Sequence, residues 1–157
     1  MTDYWPTAEL DTVRRLRVLA AGIPGAAVTE RVFDVPLSQV WDFMWGDGRD
    51  FAVFQTDMTS IDWMERNEDQ LRMLVRSRWG MRAYLQGTFR FGWCWLQSRF
   101  LLIGMAAAPE PGGGTRVALT GGVRIPGRAA LVPIGVRRES TKSLNRLEVM
   151  LQSPPHP

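Results

Sequence analysis

A chain of 157 residues, 45% hydrophobic and 22% charged, has the size and composition of one globular domain with its own core, which excludes an intrinsically disordered chain and a disulfide-stapled mini-protein. A single cysteine, Cys94, and a single histidine, His156 in the Ser153-Pro154-Pro155-His156-Pro157 tail, exclude an internal disulfide, a His-dependent triad, a Cys/His dyad on an ordered scaffold and a His- or Cys-rich metal site. The net charge is only +3; the isoelectric point of about 9.7 reflects a basic set that is arginine except for Lys142, and guanidinium keeps its proton well above the range of lysine.

Pro6 to Ala21 can form a helix with Leu10, Val13, Leu16 and Leu19 or Ala20 on one stripe and Thr7 as its N-cap. Gly22-Ile23-Pro24-Gly25 stops it. Residues 1–25 therefore read as an N-terminal helical extension that docks on an apolar surface, and three arginines leave a membrane-surface or partner-binding role open. Ala26 to Val35 mixes β-branched, aromatic and polar residues as a strand does, and Pro36 ends it. Ser38 is expected to cap a short helix that offers Val40, Trp41 and Met44 for burial. Beyond Gly46-Asp47-Gly48, Phe51, Ala52 and Phe54 suggest a second short helix or turn.

A meander of strands is predicted from 57 to 125. Its clearest member is 71–79, where Leu71, Met73, Val75, Ser77 and Trp79 alternate with Arg72, Leu74, Arg76 and Arg78, giving one buried and one largely cationic face. Ser60 to Arg66 joins it through the polar connector Asn67-Glu68-Asp69-Gln70. After Gly80, Met81, Ala83, Leu85, Gly87, Phe89 and Phe91 oppose Arg82, Tyr84, Gln86, Thr88 and Arg90. Residues 93–108 are apolar apart from Gln97, Ser98 and Arg99, which predicts cover on both sides. Pro109 to Gly114 makes a hairpin turn, and Val117, Leu119, Val123 and Ile125 alternate on the return strand.

A closing helix from about 134 to 152 carries Val136, Ser140, Leu144, Leu147 and Leu151 on one stripe, and the sheet is the apolar surface large enough to cover it. The fold class is α+β: a curved antiparallel sheet wrapped around one long C-terminal helix, with two short helices after the first strand. Residues 26–152 form this domain and 153–157 a flexible tail.

Few residues carry chemistry. Asp47, Asp50 and Asp57 fit a solvated loop better than a carboxylate pair, and Tyr84 and Glu30 are left as acid/base candidates with no spacing that puts them at a common reacting atom. No catalytic residue is assigned. Cys94 reads as a small core residue, because no base neighbours it. The glycines at 112–114 and 121–122 do not make a phosphate loop, since no Gly-Lys-Ser/Thr follows. Nothing calls for a metal or an organic cofactor. Only Arg14-Arg15-x-Arg17 and Arg137-Arg138 are dense in charge, so no nucleic-acid partner is expected. No segment reaches the roughly 18 apolar residues of a spanning helix, and Asp3, Glu9 and Asp11 do not suit a signal peptide, so a cytoplasmic protein without an integral membrane segment is expected.

Three signatures in this order resemble the START-like superfamily, also called SRPBCC, whose helix-grip fold is shared with the birch-pollen allergens and the polyketide cyclases. They are Phe33-Asp34-Val35-Pro36-Leu37-Ser38-Gln39-Val40-Trp41 at the end of the first strand, Gly113-Gly114-Thr115-Arg116-Val117 at the last hairpin, and the closing helix with Leu144 and Leu147 toward the sheet. Val35 in place of the usual Ala, the extra N-terminal helix and the undivided 80–108 region depart from the pattern. The resemblance implies a cavity between sheet and helix that takes largely apolar molecules, lined here by Trp63, Met73, Val75, Trp79, Leu85, Phe89, Trp95, Val117, Leu119, Leu144 and Leu147. Seven tryptophans and eight methionines suit an irregular hydrophobic ligand. Trp93-Cys94-Trp95-Leu96-Gln97-Ser98-Arg99 is similar to a stretch of the aromatase/cyclases, which makes Arg99 the candidate polar anchor. Binding or transport of a lipid- or polyketide-like small molecule is thus the leading reading, a cyclase/dehydratase-type enzyme using the same cavity is its main rival, and an interaction protein that binds a partner through the N-terminal helix and the cationic sheet face is a third. A homodimer stays open.

Overall fold

The first helix begins at Asp11, whose carboxylate accepts a hydrogen bond from the backbone N–H of Arg14 at 2.8 Å. This is seen in a computed structural model that describes residues 10–46, 58–77, 80–99, 101–124, 131–132 and 136–153. The expected cap Thr7, the aspartates at 47, 50 and 57, the helix expected near Phe51 and Trp79 lie outside those residues. Helix α1 spans Thr12–Ala21 and stops at Gly22, whose N–H reaches back to Leu19 and Ala20. Strand β1 (Ala27–Phe33) is followed by α2 (Leu37–Met44), where Pro36 holds the N-cap position without a side-chain hydrogen bond. Ser38 is therefore not the cap but the second residue of the helix: proline before it already sets an extended backbone and starts the turn.

The meander consists of β2 (Met58–Asn67), β3 (Gln70–Ser77), β4 (Arg82–Arg90), β5 (Trp93–Gln97), β6 (Leu101–Pro109) and β7 (Thr115–Arg124). The apolar run from 93 to 108 is split into β5 and β6 by a tight turn, in which Ser98 N–H donates to the Leu101 carbonyl and Leu101 N–H donates to Ser98 Oγ. The serine satisfies backbone groups that a continuous strand would have paired with a neighbour. The sheet order is β1-β7-β6-β5-β4-β3-β2, all antiparallel, and the short β8 (Leu131–Val132) pairs with the end of β7 beyond the reach of β1. Helix α3 (Val136–Gln152) closes the domain.

Two cores result from the period-two alternation of these strands. On the inner face, Leu71, Met73 and Val75 of β3, Leu85 and Phe89 of β4, and Val117 and Leu119 of β7 join Leu144 and Leu147 of α3 and Val40, Trp41 and Met44 of α2 in one buried cluster. On the outer face, Val13 and Leu16 of α1 cover Trp93, Trp95, Leu102, Ala106, Ala108 and Ala118. The double cover predicted for 93–108 is thus real: one side belongs to α3 and α2, the other to α1. The backbone of α3 runs against β1, β7 and α2.

Candidate functional site

The inner face is the candidate site, and its walls follow from the strand register. β3 and β4 pair with Met73 opposite Leu85 and Val75 opposite Ala83, which sets their large apolar side chains in adjacent rows of the inner cluster. β5 and β6 add Cys94, Leu96, Ile103 and Met105. At one end α2 contributes an aromatic wall: Trp45 lies 4.3 Å from the Phe89 ring centre, Trp41 lies 6.0 Å from it, and Phe91 meets Trp41 edge-on at 6.3 Å.

Eight of the expected lining residues come together here, namely Met73, Val75, Leu85, Phe89, Val117, Leu119, Leu144 and Leu147. Three others do not. Trp63 stands on the outer face, 43% exposed and stacked on Tyr84 with 6.1 Å between ring centres. The cause is a register shift between Ile61 and Trp63: Ile61 pairs with Val75 and points inward, whereas Trp63 pairs with Leu74 and points outward. One inserted residue reverses the parity of the rest of the strand. Trp95 is buried under α1, because β5 is apolar on both faces and its alternation carries no sign of which is inner. Arg99 is exposed in the turn between β5 and β6.

The acid/base candidates also lie away from the inner face. Tyr84 shares the outer face with Trp63, and Glu30 accepts from Arg17 Nε at 2.9 Å and stands 3.9 Å from Arg116. That hydrogen bond raises the Arg17 guanidinium pKa above its ordinary value. Cys94 is fully buried, and burial pushes its thiol far above the usual cysteine range, which leaves it unreactive. Among the described residues the buried polar side chains are Thr115, Thr120, Ser140 and Ser143; no acid, base or tyrosine is buried. Both threonines are occupied in joining strands to neighbouring backbone, Thr115 Oγ1 donating to the Val35 carbonyl at 2.7 Å and Thr120 Oγ1 to that of Ala27 at 2.8 Å. No group of three or more His, Cys, Asp or Glu among the described residues is arranged to hold a metal, and no described helix is long and apolar enough to cross a membrane.

Sequence reasoning missed the depth of the aromatic wall. Trp41 of α2 and Trp45 at its C-cap are four positions apart, close to the helical spacing that puts two residues on one side, and this was the signal available.

Neither a protein-family model nor a curated protein matches the sequence. Solved structures do. Ara h 8.0201 superimposes with a TM-score of 0.55 at 14% identity, over 82% of this chain and 98% of that one. The 18 kDa protein from Caulobacter crescentus gives 0.60 at 16% identity, over 81% and 95%, and a protein from Bacillus thuringiensis gives 0.57 at 12%, over 82% and 99%. The fold is the helix grip, an antiparallel sheet closed by a long C-terminal helix, and it is shared with these structures. At such identities the likeness extends to the fold and no further.

Proposed function

We propose that this START-like chain binds a hydrophobic small molecule, lipid- or polyketide-like, between the inner face of the sheet and α3. The observation that carries the reading is the chemical contrast between the two faces. The inner cluster is built from Leu, Val, Met and aromatic side chains, and the groups that could move protons, Tyr84 and Glu30, belong to the opposite face. Pliable thioethers from α2, β3 and β6 (Met44, Met73 and Met105) can repack around an irregular apolar body. A cyclase would need a group to polarise a carbonyl inside the grip, and the place of Arg99 beyond the end of β5, outside the inner cluster, gives that role no support.

Native mass spectrometry of freshly purified protein tests the proposal, combined with displacement of a neutral naphthylamine probe. A co-purified small molecule, or saturable probe binding lost in Leu144→Trp while Val18→Trp on the exposed side of α1 keeps it, is the expected result. Absence of any adduct together with no saturable probe binding would overturn it.

A further inference from the structure

Arg66 is the cation that the inner face sets against its aromatic wall. It pairs in register with Leu71, a member of the inner cluster, so its side chain leaves β2 on the same face as that cluster. Its guanidinium carbon lies 4.5 Å from the Phe89 ring centre, on a ring already tilted against Trp45. Nε donates to the Glu68 carbonyl at 3.2 Å, in a turn where Glu68 takes the left-handed conformation at φ 53°. Arg66 is exposed at the rim of the sheet; the ring stacks on one side of its guanidinium and the Glu68 carbonyl takes Nε, and its terminal nitrogens have no protein acceptor among the described residues. Arg31, also on this face through its pairing with Val117, is occupied by Glu148 of α3 at 3.1 Å. Three arginines outside the inner face have acids: Arg17 of α1 has Glu30, Arg76 has Asp62 and Arg116 has Glu110.

A planar fork with two outward nitrogens, backed by an aromatic ring at the edge of an apolar region, matches a carboxylate in geometry and charge. We infer that Arg66 receives the carboxylate of the bound molecule, so that the ligand class is an amphipathic acid with its apolar body along the inner cluster and its head at the end formed by α2 and the β2–β3 turn. This rests on the ligand-binding reading above and adds the head-group chemistry and its end of the inner face.

The test compares dodecanoate with 1-dodecanol as competitors for the neutral naphthylamine probe, in the parent, Arg66→Met and Arg66→Lys. A tenfold or greater preference for the acid in the parent, abolished in Arg66→Met, partly kept in Arg66→Lys and accompanied by unchanged probe affinity, is the expected outcome. Equal affinity for acid and alcohol in the parent, or a preference that survives Arg66→Met, would overturn the role of Arg66 while leaving a hydrophobic binder. Failure of the neutral probe itself to bind the parent would instead overturn the ligand-binding reading, and the Arg66 inference with it.

Discussion

Strands β5, β6 and β7 are buried on both sides, and the two sides are covered in different ways. Outward, β6 and β7 present Gly104, Ala106, Ala108 and Ala118 with Leu102, beside Trp93 and Trp95 of β5, and α1 lies on β6 and β7. A Cβ added to Gly104 would come within 2.6 Å of Thr120 Cγ2 and 3.0 Å of Leu16 Cδ1, so this side has no room left. Thr12 Oγ1 donates to the Ala107 carbonyl at 2.6 Å and ties the start of α1 to the sheet. Inward the same strands present Ile103, Met105, Val117 and Leu119, long side chains that reach toward α2 and α3. Small residues bring a helix close and fix it, while larger side chains fill the space between the sheet and a helix set further from it. Helix α1 thus packs like a core element on the outer side, and the inner side is a separate apolar cluster.

The largest expected effect breaks the inner side outright. Leu147→Asp puts an unpaired carboxylate into a fully buried position and should cost several kcal/mol, seen as loss of cooperative unfolding or of soluble expression. Melting like the parent would mean that Leu147 faces water.

A matched pair then separates the two sides. Leu16→Ala under α1 and Met105→Ala on the inner face should each lower stability by about 3 kcal/mol in denaturant titrations. Only Met105→Ala should also change the thermal shift that an apolar ligand produces. The same ligand response in both variants would erase the distinction between the faces.

A smaller effect reads the closeness of α1. Gly104→Ala should cost about 1–3 kcal/mol, because Thr120, Leu16 and Trp95 must all give way, and limited proteolysis should cut α1 sooner. Wild-type stability with unaltered cleavage would show slack beneath the helix.

The smallest concerns the exposed outer surface of β2–β4. Hydrogen bonding to Ser60 and Arg76, with the charges of Arg76 and Arg82, holds the Asp62 carboxyl below its ordinary value of 3.8. A group depressed on folding contributes stability that is present above the ordinary value and is lost as pH falls through the lowered one. Denaturant midpoints of the parent and Asp62→Asn should therefore differ slightly near neutral pH and converge in acid. A constant gap at all pH values would remove Asp62 from the account.

Much of this fold was legible because β3 and β4 are polar on one side and apolar on the other: Leu71, Met73 and Val75 against Arg72 and Arg76 require one buried face wherever the strand lies. The stripe Val13, Leu16 and Ala20 likewise announced a docked helix, and Ser140, Leu144 and Leu147 the closing one. The candidate site was legible only where that alternation is clean. Trp63 was misassigned because the shift at Ile61 leaves no mark in composition, and Trp95 because Trp93-Cys94-Trp95-Leu96 is apolar on both sides. Arg66 carries no signal of its own at the end of a polar strand; its meaning depends on Phe89, brought beside it from another strand.

By itself, then, the sequence determined which residues share a face and which helical stripes need cover, since both follow from backbone periods of two and 3.6 residues. Only the tertiary structure decided which face of each strand is inner, which helix covers it and which arginine meets an aromatic ring there. A period divides residues into two sets without saying which set faces α3; strand order, register shifts and the placement of α1 and α3 supply that assignment, and they arise from contacts between residues far apart in the chain.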